Sequence, residues 1–238
     1  AVSQGITTII AGQDGGSSLP LSDFFTRMET ATVAVNVAAY VGHNSIRRRV
    51  MGDDFRREAT LEEIEEMKVM LERELQSGAL GLSTGLEYDP GIYSSTDEVV
   101  ELARSAASVG GRYISHMRSE DRAFFSALEE LLHIGRETGI PVQVSHMKLA
   151  MKSLWGEAGR VLSMLDDARD EGINVTADVY PYEFWQSTMT VLFPNREFTR
   201  EAATFALEEL APPEGMFIAA FGPNPSYVGM SLAEIAEL

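Results

Sequence analysis

The chain has 238 residues, no cysteine, and 19 lysine and arginine residues against 36 aspartate and glutamate residues, which gives a formal net charge of −17. This length can bury a sizeable core, and the acidic balance excludes the clustered basic surface that nucleic acids and anionic membranes require. Without cysteine there is neither a disulfide nor a thiolate metal ligand, so histidine and carboxylate side chains must hold any metal ion. We expect a cytoplasmic protein, because the sequence shows neither a signal peptide nor an apolar run of membrane length.

Short apolar runs alternate along the chain with segments of helical periodicity. The runs are nearly continuous and rich in Val, Ile or Thr, which is typical of strands buried on both faces; they span residues 5–12, 33–42, 79–83, 112–116, 141–146 and 173–180. The periodicity predicts helices at 61–77, 97–109, 123–138, 156–171 and 200–210, and a last short strand at 216–221. Thr60 and Glu63 form a predicted capping box at the start of the first helix.

The strands follow one another at the spacing of βα units. Residues that mark the strand ends lie 30, 41, 33, 30 and 32 residues apart, namely Gly12, Gly42, Ser83, His116, His146 and Asp178. Such units build either an open doubly wound sheet or a closed (β/α)₈ barrel, which takes about 250 residues. Six units fill residues 1–182, and residues 183–238 leave no room for two more. The sequence therefore predicts either an open sheet of about six strands or a barrel that lacks a unit at each end.

Two histidines lie at the ends of neighbouring strands, where both architectures bind their ligands. His116 and His146 occur in the similar sequences SHMR and SHMK, so we expect their imidazoles to converge on a metal ion. A lone histidine would more often bind a loop carbonyl, but two at equivalent positions favour a site. Asp14 and Glu87 follow two other strands, and either carboxylate could complete the metal site or bridge two ions. The alternatives are a turn residue for Asp14 and a solvated loop carboxylate for Glu87.

Other polar side chains are predicted at the same end of the sheet. Lys148 lies two residues beyond the second of these histidines and could bind a substrate carboxylate as a point charge. Tyr88, Tyr180 and Tyr182 could donate to a developing oxyanion, although aromatic residues beside proline often anchor loops instead. His133 lies inside a predicted helix and is interpreted as structural.

Five segments of the sequence resemble, in order and spacing, the N-acyl-D-amino-acid deacylases, or D-aminoacylases, of the amidohydrolase superfamily. They are GITTIIAGQDGGS, GLSTGLEYDPG, GGRYISHMRSE, VQVSHMKLA and TADVYPY. The resemblance covers nearly all of the chain and is strongest from residue 78 to residue 182. It implies an α/β fold that is part of a metal-dependent (β/α)₈ barrel, with residues 1–182 holding strands two to seven. Residues 183–238 would then be an insertion or linker before the missing last strand.

The resemblance also implies roles for individual residues. His116 and His146 match zinc ligands of the family, which binds one or two divalent ions. Tyr88 matches a tyrosine that polarises the scissile carbonyl. Lys148 and Tyr180 match residues that hold the substrate carboxylate, and Ser187 is expected to assist them.

The sequence departs from the family at the metal site and at both ends. Asp14 stands where the family usually has a metal-binding cysteine, so either Asp14 or Glu87 is expected to replace that ligand. The family's His-x-His on strand one, and the catalytic Asp and substrate-binding Arg of strand eight, have no counterpart in these residues.

The predicted activity is metal-dependent hydrolysis of the linear amide bond of a small N-acyl-D-amino acid, which releases a carboxylate and a D-amino acid. We expect the 238 residues alone to be an inactive fragment. The alternatives are another amidohydrolase, such as a D-dipeptidase or a cyclic-amide hydrolase, and a catalytically dead binding domain. The sequence sets neither the acyl group, the preferred D-side chain nor the oligomeric state.

Overall fold

The computed structural model describes residues 1–193 and 196–238, and it divides into two compact units. The first unit comprises residues 1–148 and 157–179, and the second comprises residues 149–156 and 180–238. The predicted domain boundary after residue 182 lies close to the start of the longer segment of the second unit. The assignment of residue 182 as the end of a barrel domain stays a prediction.

The first unit is built on parallel strands. They are β1 (Thr8–Ala11), β2 (Asn36–Ala39), β3 (Val41–Gly42), β4 (Gly81–Gly85), β5 (Arg112–His116), β6 (Val142–Val144) and β7 (Val175–Ala177). β1 pairs with β2, and β3 to β7 form a second sheet in chain order, with every pair parallel. The run at 33–42, predicted as one strand, is divided at Tyr40 because its first part pairs with β1 and its second part with β4.

Helices connect these strands. They are α1 (Leu21–Thr30), α2 (His43–Met51), α3 (Leu61–Gln76), α4 (Thr96–Ser108), α5 (Phe124–Thr138) and α6 (Ala158–Asp170). Successive helices pack on one another, α2 on α3, α3 on α4 and α4 on α5. A doubly wound sheet reverses its strand order at a switch point, whereas β3 to β7 follow chain order throughout. The strand order therefore favours the barrel alternative over the doubly wound one, within an α/β fold that the sequence predicts correctly.

The predicted helices of the first unit are confirmed to within two residues at each end, but the sequence predicts neither α1 nor α2. α2 contains three consecutive arginines, and the first of them, Arg47, is completely buried. Its guanidinium donates to the carbonyl oxygens of Arg57, Pro90 and Tyr93. These partners are distant in sequence, so the periodicity of α2 alone does not reveal the helix.

The burial of the strands differs between the centre and the edges. β4 and β5 are buried over nearly their whole length, as predicted for strands covered on both faces. β1 and β7 are largely exposed, and there the prediction is wrong. Within the described residues each of these two strands has a hydrogen-bonded neighbour on one side only, which leaves Ile9 and Ile10 of β1 more than 40% exposed.

The second unit consists of short helical segments. The helix predicted at 200–210 is present as α7 (Arg200–Phe205), followed by a π-helical turn over Ala206–Leu210, and α8 spans Leu232–Ala236. The strand predicted at 216–221 is wrong, because in the part of the chain that the structure describes this segment makes a single antiparallel bridge, Phe217 to Ser231. None of the described helices has the length and apolarity needed to cross a membrane.

The capping box of α3 provides a test of local stability. The Thr60 hydroxyl accepts from the Glu63 amide at 3.2 Å, and the Glu63 carboxylate accepts from the Thr60 amide at 2.8 Å. We expect Thr60→Ala to lower the free energy of unfolding by about 1 kcal/mol, because an amide at the helix start loses its acceptor. Urea denaturation measures the change, and Thr60→Ser, which keeps the hydroxyl, is the control. Equal stability of all three proteins would contradict a stabilising cap.

Candidate metal centre

The structure brings the two predicted metal-binding histidines together, with their rings edge-on and the ring centroids 4.7 Å apart. His116 is the last residue of β5, and His146 lies two residues beyond the end of β6. The parallel pairing of Ser115 with Val144 sets the two strand ends side by side. As a result, His116 Nδ1 lies 3.0 Å from His146 Nε2.

Asp14 joins this pair from the loop after β1. Its Oδ1 lies 3.3 Å from His146 Nε2 and is buried without a hydrogen bond to any described residue. Tetrahedral zinc, with ligand bonds of about 2.0 to 2.1 Å, separates its ligand atoms by about 3.3 Å. The two measured separations are close to this value, and two imidazoles with one carboxylate are donors that zinc accepts. The residues present therefore fit a divalent metal ion.

Two of these three residues have strained backbones. Asp14 has a φ of 54° and His146 a φ of 36°, both in the left-handed region that side chains other than glycine rarely adopt. The Asp178 carboxylate, just beyond β7, accepts from the His146 amide at 2.6 Å and holds this conformation. Strain of this kind is typically found where a side chain must be aimed for function.

Each imidazole also has a carboxylate on its other nitrogen. Glu87 Oε2 lies 2.8 Å from His116 Nε2, and Glu120 Oε1 lies 2.9 Å from His146 Nδ1. Glu87 thus lies in the cluster, as the sequence predicts, but against the far nitrogen of His116. The sequence does not predict Glu120; the signal available was its position four residues after His116 in SHMRSE, and spacing alone does not distinguish it from a solvated carboxylate.

Together these residues form two overlapping sets of metal-binding side chains. One set is Asp14, His116 and His146, and the other is Glu87, His116 and Glu120. The first set has two nitrogen donors and one oxygen donor, and the second has one nitrogen and two oxygens. Both sets lie within the first unit.

Charge in the cluster shifts the pKa values of the first set. Burial raises the pKa of the Asp14 carboxyl, but His146, His116 and Lys148 outweigh burial and lower that pKa. Burial lowers the pKa of the His146 imidazole, but Asp14 and Glu120 outweigh burial and raise that pKa to about 9. The carboxylates around His146 therefore stabilise a positive charge on its imidazole.

The two outer carboxylates differ from each other. Burial raises the pKa of Glu87 and is not fully offset by His116. Burial also raises the pKa of Glu120, but His146, His116 and Lys148 outweigh it and lower that pKa. Glu120 is therefore the more firmly anionic of the two, and it is already paired with Lys148, whose Nζ lies 2.5 Å from its Oε1.

The structure places the other predicted site residues as follows. The Tyr88 ring lies against the His116 ring, with centroids 4.3 Å apart, and Lys148 lies beside His146. Tyr180 and Ser187 belong to the second unit, so their predicted contact with a substrate carboxylate stays a prediction. His133 is half-buried in α5 and belongs to neither metal-binding set.

Two arginine side chains, one buried and one partly exposed, hold the loop that follows β4 and carries the tyrosine of the cluster. Arg47 donates to the carbonyl oxygens of Pro90 and Tyr93 at 3.4 and 3.3 Å. Arg118, two residues beyond the histidine of β5, donates to the carbonyl oxygen of Ile92 at 3.3 Å. The position of this loop is therefore fixed from α2 on one side and from the end of β5 on the other.

Glycines allow the Asp14 loop to lie directly on the strand ends. A Cβ atom at Gly85 would lie 2.2 Å from the Asp14 carbonyl oxygen, and one at Gly42 would lie 2.3 Å from the Gly15 carbonyl oxygen. Atoms cannot approach this closely, so β3 and β4 must end in glycine for Asp14 to reach the histidines.

Comparisons with known proteins identify relatives of the chain. No family model matches the chain. The chain is 33% identical to the N-acyl-D-glutamate deacylase of Alcaligenes xylosoxydans xylosoxydans, over 98% of the chain and 49% of that protein. It is 35% identical to a D-aminoacylase of the same organism, over 76% of the chain and 42% of that protein.

A solved structure shows the same similarity. It is the crystal structure of N-acyl-D-glutamate deacylase from Bordetella bronchiseptica, complexed with zinc and a phosphonate inhibitor that mimics the tetrahedral intermediate. Its TM-score is 0.87 at 33% identity, over 99% of the chain and 51% of that structure. The chain belongs to the N-acyl-D-amino-acid deacylase family of the amidohydrolases. It spans about half the length of the deacylases that it matches, and the family predicted from the sequence is confirmed.

The close approach of the Asp14 carbonyl group to Gly85 can be tested by substitution. We expect Gly85→Ala to displace Asp14, to weaken zinc binding and to lower the free energy of unfolding by about 1 to 3 kcal/mol, the usual cost of overpacking. Thermal unfolding and zinc titration measure the two effects. Gly159→Ala is the matched control, because a Cβ atom at Gly159 meets no atom within 4 Å. Normal zinc binding by Gly85→Ala would show that Asp14 does not depend on this contact.

Proposed function

We propose that the protein is a metal-dependent hydrolase that cleaves the amide bond of N-acyl-D-amino acids and releases a carboxylate and a D-amino acid. The observation that carries the proposal is the convergence of His116 Nδ1, His146 Nε2 and Asp14 Oδ1 at separations that suit zinc. The similarity to a deacylase structure that contains zinc and a phosphonate mimic supports both the metal and the reaction class.

Asp14, His116 and His146 are the proposed ligands, with Asp14 in place of the thiolate that the sequence lacks. Glu87, predicted from the sequence as an alternative ligand, is instead proposed to orient His116 through its far nitrogen. A carboxylate in this position fixes the tautomer and direction of a metal-binding imidazole. Whether one or two divalent ions bind is decided by measuring the zinc content.

When bound, zinc acts as a Lewis acid that activates water and polarises the scissile carbonyl. Tyr88, whose ring centroid lies 4.3 Å from that of His116, is proposed to donate a hydrogen bond from its hydroxyl to the developing oxyanion. Lys148 is proposed to attract the substrate carboxylate as a point charge. Tyr180 and Ser187 are proposed to assist it.

We propose that the chain supplies strands two to seven of an eight-stranded barrel. β2 and β3 are two parts of one run, so β1 to β7 count as six consecutive parallel strands, and the deacylase relatives are about twice as long. Residues 1–182 would form the central part of the barrel, and residues 183–238 an insertion or linker. The proton acceptor and the arginine that the family carries on strand eight would come from outside these residues, so the 238 residues alone are expected to be inactive. Cytoplasmic location and the lack of nucleic-acid and membrane partners stay predictions.

Substitution of the proposed ligands tests the metal site. We expect His116→Ala, His146→Ala and Asp14→Ala in the full-length protein to abolish stoichiometric zinc and reduce deacylase activity to background. Glu87→Gln should retain zinc with an affinity lowered by about 10- to 100-fold, as for other orienting partners of metal ligands. Atomic absorption and chelator competition measure content and affinity.

The control for these substitutions is His133→Ala, which removes a histidine outside both metal-binding sets. Stoichiometric zinc in His116→Ala and His146→Ala would overturn the proposed function. If Glu87→Gln lost zinc completely while Asp14→Ala kept it, Glu87 and not Asp14 would be the ligand.

A substrate panel tests the reaction. We expect the full-length, zinc-loaded protein to release D-amino acids from N-acetyl-D-amino acids, and to act poorly on their L-enantiomers and on amides without a free α-carboxylate, because Lys148 has then no anion to bind. Amine release measured with a colorimetric reagent gives the rates. Faster turnover of D-dipeptides or hydantoins would assign the protein to another branch of the superfamily, and binding without turnover would indicate a catalytically dead domain.

A further inference from the structure

Glu120 is shared between a proposed metal ligand and a proposed substrate-binding residue. Its Oε1 lies 2.9 Å from His146 Nδ1 and 2.5 Å from Lys148 Nζ. Lys148 Nζ itself lies 3.0 Å from His146 Nδ1. Three polar atoms thus meet at one point, and all three side chains are at least three-quarters buried.

We propose that Glu120 is a positioning residue that holds His146 in its metal-binding tautomer against the opposing effect of Lys148. The inference rests on the proposed function, because it concerns the metal site described there. It assigns a role to a carboxylate that neither the spacing of the sequence nor the predicted ligand set includes.

The hydrogen-bonding capacities of His146 and Glu120 are complementary. A neutral imidazole carries its proton on one nitrogen and accepts with the other. If His146 Nε2, which faces His116 and Asp14, is to bind a metal, then Nδ1 must carry the proton and needs an acceptor. The Glu120 carboxylate is an acceptor without a donor proton, and it lies at hydrogen-bonding distance.

Lys148 favours the opposite arrangement. Its ammonium group has three donor protons and no acceptor, so at 3.0 Å from Nδ1 it can bond to the imidazole only when Nδ1 lacks a proton. The proton then sits on Nε2, where it blocks the metal. The Glu120 oxygen that accepts from Lys148 Nζ also lies 2.9 Å from His146 Nδ1. It is therefore placed to accept from a protonated Nδ1 as well, and its charge offsets the ammonium charge beside the proposed metal ligand.

The alternative role for Glu120 is that of a direct metal ligand in the set with Glu87 and His116. The two roles predict different effects of removing Lys148 as well. If Glu120 is a direct ligand, Glu120→Ala weakens zinc binding whether or not Lys148 is present. If Glu120 counteracts Lys148, removal of the lysine restores zinc affinity to Glu120→Ala.

The experiment measures zinc affinity in the full-length protein by competition with a chromophoric chelator. We expect Glu120→Ala to weaken zinc binding by about 10- to 100-fold. Lys148→Met should leave the affinity unchanged or higher. The double variant Glu120→Ala/Lys148→Met should recover at least half of the lost affinity on a logarithmic scale. Glu120→Gln should fall between wild type and Glu120→Ala, because its amide oxygen still accepts from Nδ1.

Two controls accompany this series. Asp121→Asn removes the same charge from the next residue. Its carboxylate accepts from the Ser119 hydroxyl at 2.7 Å and pairs with Arg122, and among the described residues it has no hydrogen bond or ion pair with either imidazole, so this variant should keep wild-type affinity. ¹⁵N chemical shifts of the histidine side chains in the zinc-loaded wild type should show His146 protonated at Nδ1. Thermal unfolding confirms that each variant is folded.

The outcomes separate this inference from the proposed function. Absence of zinc binding by the wild type would overturn the proposed function itself. Zinc binding by the wild type, with Glu120→Ala equally tight or with no recovery in the double variant, would overturn the role of Glu120 alone. Recovery of zinc affinity when Lys148→Met is added to Glu120→Ala supports the positioning role, since the loss of a merely structural glutamate would not be rescued by removal of its lysine partner.

Discussion

The candidate metal centre depends on the parallel pairing of β5 with β6, which sets the two strand ends at the same level and brings His116 Nδ1 to 3.0 Å from His146 Nε2. Side chains alternate between the two faces of a strand, so a slip of one residue would turn His116 to the opposite face of the sheet. The β4–β5 register adds a second constraint, since it sets Gly85 beside His116. Only because this residue is a glycine can the Asp14 loop lie against the strand end.

Carboxylates contact the two histidines on both sides of their rings. Asp14 contacts the nitrogen of His146 that faces His116, while Glu87 and Glu120 contact the far nitrogens. In the proposed site the inner carboxylate is a metal ligand, and the outer ones determine where the imidazole protons sit. Three acidic side chains thus lie around two histidines and one lysine, in a chain whose net charge is −17. A cation bound at the centre would compensate this local excess of negative charge.

The sequence predicts much of this fold because many of its signals are local. Glycine at the helix ends, the capping box at Thr60 and the repeated interval between strands depend on near neighbours, and the helices they predict are confirmed. The similar surroundings of His116 and His146 also reveal their convergence. α2 is different, since its buried Arg47 is bound to carbonyl groups up to 46 residues away. The exposure of β1 and β7 depends on which strands lie beside them, which periodicity does not report.

Glu120 shows the same limit within the site. An acidic residue four positions after a histidine is ordinary in sequence, and its importance comes from Lys148, 28 residues later in the chain. Asp178 likewise marks a strand end in the sequence, but only the fold shows that it holds the strained backbone of His146. Residues that position other side chains are therefore harder to predict from sequence than residues that contact the ligand.

The carboxylate of Asp14 has a chemical consequence of its own. A thiolate in a metal centre is open to oxidation through sulfenic to sulfonic acid and reacts with alkylating agents. A carboxylate undergoes neither reaction, and it is a harder donor that favours Zn²⁺, Mn²⁺ or Mg²⁺ over soft ions such as Cu⁺. In a chain without a single cysteine, thiol-directed reagents have no thiolate to attack at the metal-binding cluster.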